Sequence, residues 1–267
     1  MKVFIASLLL LLAVNKLGAI EALQQDTVFN QVDKNNLKQG HWKKFYKNGK
    51  VAYHGYFKDD KPRGVFCRYH ENGVMLARMI YSECGDSATT NLYNTSGKLL
   101  ATGLFVNSKK DGEWKYFTPT GRVAFTESFK MGAKNGVFKN YYPTGELYEE
   151  IGWKDGLKHG PSMQYYPDGM YKSAILYVEG VENGPIKTFY PDGKPRLEGT
   201  YQNGLKQGLW RCLTNEGTLI WETNYNKGIA DNEAEIILQE SKALEELLNN
   251  IGKIQEPSVE DFLRGTR

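Results

Sequence analysis

Glycine returns every 24 residues through most of this chain, at Gly49, Gly73, Gly97, Gly121, Gly145, Gly169, Gly193 and Gly217. A second series keeps step at Gly40, Gly64, Gly112, Gly136, Gly160, Gly184 and Gly208, broken only at Ala88. A third position is aromatic in every copy: Phe57, Tyr81, Phe105, Phe129, Trp153, Tyr177, Tyr201 and Tyr225. A fixed period of this size means an array of small units, each burying its face against the next. Such arrays are built as surfaces more often than as reaction vessels.

Residues 136–159 (GVFKNYYPTGELYEEIGWKDGLKH) illustrate the unit. A first run, 137–142, ends in Pro143-Thr144-Gly145, and a second run alternates through Leu147, Glu149, Ile151 and Trp153. Alternation bounded by turn residues predicts a strand. The turn sequences across the array include Asn-Gly and Asp-Gly, which favour the positive φ of tight hairpins. Each unit is therefore expected to be one β-hairpin, followed by a loop at 154–159 that carries a glycine. Gly132, Gly156, Gly180, Gly204 and Gly228 hold that loop position.

Eight hairpins side by side predict an all-β fold. It is an elongated single-layer antiparallel sheet of about sixteen strands, at about 4.8 Å per strand. The aromatic row from Phe57 to Tyr225 is then structural, each ring burying apolar area against its neighbours at about 25 cal/mol per Å². This accounts for the 13% aromatic content of a chain with short aliphatic runs.

The ends depart from the period. Residues 1–19 form an expected signal peptide, with an apolar run at 3–14 behind Lys2 and small residues at Gly18 and Ala19. The run is too short to span a bilayer, and no cysteine stands near Ala19 to carry a lipid anchor. The expected location is secreted or periplasmic. Residues 20–36 are a lead-in with an opening strand at 27–32, residues 37–228 are the array, and 229–267 are a C-terminal helical cap and tail. The cap is expected from Asn232 with Glu235, from Gly252, and from Ile237, Leu244, Leu247, Leu248 and Ile251 on one helical face.

Charge and cysteine content narrow the function classes. Residues 20–230 hold 28 Lys and Arg against 22 Asp and Glu, too mild an excess for a nucleic-acid footprint. Three cysteines are too few for a disulfide framework. Cys67 and Cys84 share a repeat and are the nearest pair, joined or free. The four histidines, His41, His54, His70 and His159, share no repeat position, and no paired Cys/His spacing suits zinc. No nucleophile motif or phosphate loop is present. The expectation is no enzyme, no cofactor and no metal.

One row offers a binding surface. The position before each hairpin turn holds Tyr46, Tyr142, Tyr166 and Tyr190, and its neighbour, Phe45 to Leu213, is apolar throughout. Adjacent strand residues face opposite sides, so the apolar row is the expected core and the tyrosines the expected partner-binding ladder. The alternative is that the ladder only stacks on itself.

The units Gly112-Glu-Trp-Lys-Tyr-Phe with Gly121, and Gly208-Leu-Trp with Gly217, resemble the MORN-repeat variant family across residues 37–228. The resemblance implies a meandering sheet of hairpins without catalysis. Bacterial members are described as antitoxin-like, and better-known MORN proteins are linked to membrane scaffolds and phospholipid. The chain departs from the pattern at Ser162 and Ile186, and in 82–92 (SECGDSATTNL), where the glycine at 88 is lost. The functional expectation is a secreted or periplasmic scaffold whose sheet surface binds a protein partner. The alternative is a scaffold on a phospholipid surface.

Overall fold

The computed structural model describes residues 28–232 together with Leu238, Ser241, Lys242 and Glu245. The expected signal peptide lies outside the described residues. So does the expected helical cap, apart from those last four positions, which are helical. Nineteen strands in antiparallel ladders make the described chain all-β. It divides into two compact units.

The first unit runs to Gly136 and holds the short β1 (Gln31–Val32) and the eight long strands that follow it. These are β2 (Lys38–Phe45), β3 (Val51–Lys58), β4 (Lys61–Tyr69), β5 (Met75–Tyr81), β6 (Ser87–Tyr93), β7 (Leu99–Val106), β8 (Lys109–Phe117) and β9 (Val123–Lys130). The short β10 (Ala133–Lys134) pairs with β9, and β11 (Gly136–Tyr141) lies where the units divide. The second unit holds β12 (Leu147–Lys154), β13 (Leu157–Tyr165), β14 (Tyr171–Val178), β15 (Val181–Phe189), β16 (Pro195–Gln202), β17 (Leu205–Leu213), β18 (Leu219–Asn226) and β19 (Ile229–Ala230). Nineteen strands replace the expected sixteen because short β1 and β19 add to the array and Asn135 divides one first strand into β10 and β11.

Two turn types alternate. Within a repeat, the turn amide bonds back three residues, as from Gly193 N to Tyr190 O at 2.9 Å, with Gly193 at φ 83° and Pro191 between them. Between repeats, two residues suffice: Asn203 and Gly204 join β16 to β17 with φ of 51° and 79°. Both φ values are positive, as the tightest hairpin turn requires. The loop expected at 154–159 is such a turn, made by Asp155-Gly156 alone, and Leu157 already belongs to β13.

The Gly40 series has a separate task. The junctions β3–β4, β7–β8, β12–β13, β14–β15 and β16–β17 each contain a register shift. The glycine of the later strand, such as Gly112 at φ 66°, takes the left-handed backbone that the bulge needs. The β5–β6 ladder runs in register throughout, and its strand carries Ala88 instead. No atom lies within 4 Å of a Cβ built on Gly112, so Gly112→Ala tests backbone conformation alone. A loss of about 1–2 kcal/mol is expected in urea denaturation.

The core differs from expectation. Phe45 is 52% exposed, and none of the apolar row from Phe45 to Leu213 is buried. The buried rings are instead Trp114 and Trp210, at 0% and 1% exposure, with Phe57 and Tyr225 of the expected aromatic row at 8%. Both tryptophans share a face with the expected aromatic row: Trp114 meets Phe105 edge-on at 4.9 Å, and Trp210 meets Tyr201 at 5.0 Å and Tyr225 at 6.0 Å. In a single layer no second sheet covers the rings, so each lies flat on the backbone of the preceding hairpin. A Cβ on Gly103 would sit 2.3 Å from Trp114, and one on Gly199 2.2 Å from Trp210.

Size is exchanged across this contact. Large rings at Phe66, Trp114 and Trp210 stand against Gly55, Gly103 and Gly199. Where the ring is lost, the partner grows: Ser162 pairs with Ile151, Ile186 with Ile175, and Thr90 with Met79.

Lysines roof the rings. Lys110 Nζ stands 4.7 Å from the Trp114 centroid, 5.1 Å from Tyr116 and 5.0 Å from Phe129. Lys38 covers Trp42 and Phe57, and Lys206 covers Trp210 and Tyr225, all within 5.0 Å. Each is a cation over an aromatic face whose methylene stem also excludes water.

Ion pairs add local support. Arg211 and Lys187 both bond Glu198, at 2.7 and 3.1 Å, and hold its carboxyl below the usual carboxylate range. A depressed pKa stabilises the fold above the unfolded value, and this contribution vanishes as pH falls through the folded value. Glu198→Gln is therefore expected to lower the melting temperature at pH 7 and to melt with the parent protein at pH 2–3 in parallel thermal scans.

Candidate functional site

The repeat that has lost most of the pattern opens a cleft in the first unit. At β6 the glycine is Ala88, the ring position is Thr90, and the roofing lysine is Asp86. The result is an opening of about 610 Å³. Its floor is Ala77, Ala88 and Thr90, all buried, and rings of the aromatic row, Tyr81 and Phe105, line it. Met79 stands against Thr90 across the β5–β6 ladder and accepts the Tyr81 hydroxyl at sulfur, 3.7 Å away.

The rim is polar. Asp86 accepts from Ser82 Oγ at 2.7 Å, which holds its carboxyl below the usual range, with the Lys61 charge acting in the same direction. Arg68 is exposed and forms no ion pair among the described residues; its charge acts on Tyr81, whose phenol is pushed up by burial. The cleft therefore joins an apolar floor, aromatic walls and one uncommitted cation. This is the composition of a ligand site, where a few polar groups orient an otherwise apolar contact.

The expected binding tyrosines share one repeat position and one bonding pattern. Tyr142, Tyr166 and Tyr190 donate their hydroxyls to the carbonyls of Tyr165, Phe189 and Leu213, at 2.8, 2.8 and 2.9 Å. In the first unit Tyr46 donates to Tyr69 O at 2.6 Å, and His70 Nε2 lies 3.0 Å from Tyr93 O at the equivalent position. Each acceptor lies 23 residues on, in the next repeat. The ladder thus clamps hairpin to hairpin, and its rings, half-buried, retain partly open faces.

No group of His, Cys, Asp or Glu that could hold a metal ion occurs among the described residues. His54 Nε2 lies 3.0 Å from the Tyr69 hydroxyl and His41 packs edge-on against Tyr56. All three cysteines are free: Cys67 buried, Cys84 exposed and Cys212 between.

Comparison with known families agrees with this geometry. Residues 38–59, 110–131, 134–155 and 182–203 match the MORN repeat variant. The chain carries MORN-variant repeats. The cleft residues Tyr81, Ala88, Thr90 and Phe105 fall between matched MORN-variant segments, where the repeat has lost its glycine and its ring. No curated protein matches the sequence. Among solved structures, crystal structures of TarM align at 12% identity over 45% of this chain and 19% of theirs. One is a Staphylococcus aureus mutant in complex with Fondaparinux, alpha-GlcNAc-glycerol and UDP. The TM-score of 0.23 is too low to relate the folds. No helix among the described residues is long and apolar enough to cross a membrane.

The signal missed in the sequence was the pairing of rows. Gly55, Gly103 and Gly199 precede Phe66, Trp114 and Trp210 by 11 residues each, a covariation of sizes visible without coordinates.

Proposed function

We propose that this protein acts without chemistry of its own, as a secreted or periplasmic scaffold whose sheet surface binds a protein partner. The observation that carries this reading is the cleft in the first unit, where the rings of Tyr81 and Phe105 and the exposed Arg68 line one opening above a buried apolar floor. A repeat array supplies a preformed surface at low cost in ordering on binding. An antitoxin-like role fits such a surface, since it acts by covering a partner.

Cross-linking of the tagged protein in secreted and envelope fractions tests the proposal. One stoichiometric partner is expected, with cross-links on the face that carries Tyr81 and Phe105. A second reading, attachment to phospholipid, draws support from the excess of basic residues in 20–230. It predicts co-flotation with anionic vesicles that weakens as salt rises. Flotation without protein cross-links would replace the first reading by the second.

A further inference from the structure

The face opposite the rings carries charge differently in the two units. Lys115 follows the ring-face Trp114 and pairs with Thr126, so its row of cross-strand neighbours lies on that opposite face. At the equivalent positions of the second unit every cation has a carboxylate. Lys139 meets Glu150 at 3.8 Å, and Lys187 and Arg211 meet Glu198 at 3.1 and 2.7 Å. In the first unit the row reads Lys43, His54, Cys67 and Arg78, paired in that order across β2 to β5. Arg78 stands where later repeats hold Glu150, Glu198 and Glu222. The row then runs uncharged through Asn91 and Thr102, bonded at 2.8 Å, to Lys115, which Glu113 holds at 3.4 Å. Neither Lys43 nor Arg78 forms an ion pair among the described residues.

A third cation shares this face. Arg63 lies opposite Tyr56, two residues from His54, and its Nε is buried without a hydrogen-bond partner among the described residues. The carboxylates closest in sequence are committed: Asp59 accepts from Gln39 Nε2 at 2.7 Å, and Asp60 from the Lys38 amide at 2.8 Å. At its β2 end the row meets an opening of about 370 Å³ lined by Phe29, His41, Lys43 and His54. Lys43 Nζ lies 5.9 Å from the ring centre of Phe29 and 5.3 Å from that of Phe45, and both rings are exposed. An ammonium resting on rings gives up water on that side, which strengthens its pull on a carboxylate at its open side.

We propose that this face binds an acidic segment of the partner polypeptide, with one carboxylate on Lys43 beside Phe29 and another on Arg78. The contact rests on the scaffold reading and lies on the side of the sheet away from Tyr81 and Phe105. Three strand steps of about 4.8 Å separate Lys43 from Arg78, about 14 Å in all. An extended chain covers about 13 Å in four residues, and residues four apart point the same way. Two acidic side chains at that spacing reach both cations at once. Residues 34–70 hold ten Lys and Arg against two Asp, a field that draws such a segment in.

The probe is a five-residue peptide, acetylated and amidated, with glutamate at both ends and serine between. It is titrated into the protein at low salt and followed by amide chemical shifts. Shifts are expected around Lys43, His54 and Arg78. The same peptide with glutamine for glutamate should bind at least about fivefold more weakly. Arg78→Glu, which copies the second unit's residue at this position, should lose at least about fivefold, and Lys43→Gln about threefold. Lys187→Gln, on the paired row of the second unit, should leave binding unchanged.

Shifts confined to the second unit, equal binding of the glutamine peptide, or undiminished binding by a folded Arg78→Glu would overturn the proposal. If Arg78→Glu does not fold, Arg78→Gln takes its place, with an expected loss of about threefold. Vesicles of phosphatidylserine and phosphatidylcholine that bind the protein, while the peptide leaves its shifts unmoved, would overturn it in favour of a membrane surface. Capture of the protein partner by Arg78→Glu with affinity unchanged would refute this contact and leave the scaffold reading standing. Peptide binding here, with no protein partner in the cross-linked fractions, would keep the acidic-segment site and remove the scaffold reading.

Discussion

Gly103→Ala is expected to destabilise the first unit by about 3 kcal/mol, and prior replacement of Trp114 by alanine to remove most of that effect. The added Cβ would sit 2.3 Å from Cδ2 and 2.4 Å from Cε2 of a ring that is 0% exposed. That ring cannot swing away, because Phe105 flanks it, Lys110 covers it and its N–H is held by Leu104 O. Trp114→Ala alone should cost about 3–5 kcal/mol, from the lost burial and the space left behind. In the double variant the methyl group enters that space. The four proteins form a cycle in urea denaturation, and a coupling energy above about 1 kcal/mol is expected. Additivity within about 0.5 kcal/mol would show that the indole does not depend on the bare backbone beneath it.

Tyr142, Tyr166 and Tyr190 replaced together by phenylalanine should cost the second unit about 3 kcal/mol, roughly one for each hydroxyl removed. The change keeps the rings and takes away only the donors to Tyr165 O, Phe189 O and Leu213 O. Each carbonyl would lose its bond from the preceding repeat. Repeat arrays derive much of their stability from nearest-neighbour terms, so the loss should also broaden the unfolding transition. Partner capture should be unchanged when measured below the melting point. If stability is unchanged and capture falls, the hydroxyls serve the partner rather than the sheet.

These two rows show what could and could not be deduced before the structure. The 24-residue period was enough for the hairpins and for the aromatic row from Phe57 to Tyr225, since turn glycines and strand alternation are local signals. The tyrosine row was also visible, but its acceptors were not. They are main-chain carbonyls 23 residues away, and a carbonyl leaves no mark on residue identity. The sequence points to the Phe45–Leu213 row as the core and the structure buries the other face, because both faces of a single-layer strand alternate alike. What decides between them is which side has glycine for a ring to lie on, as Gly103 does for Trp114. The cleft appeared in the sequence only as missing residues at 88 and 90. Whether Met79 fills the gap or leaves it open is a matter of side-chain direction.

The exchange of sizes between rungs has a bearing on how such a chain avoids misassembly. Near-identical hairpins can pair out of turn, skipping one copy or borrowing it from another molecule, with every backbone bond still satisfied. Were β8 to dock against β5 in place of β7, Trp114 would land on the thioether of Met79 instead of bare backbone. Irregular rungs thus work as addresses, and the copies that stray furthest from the consensus keep the others in their proper order.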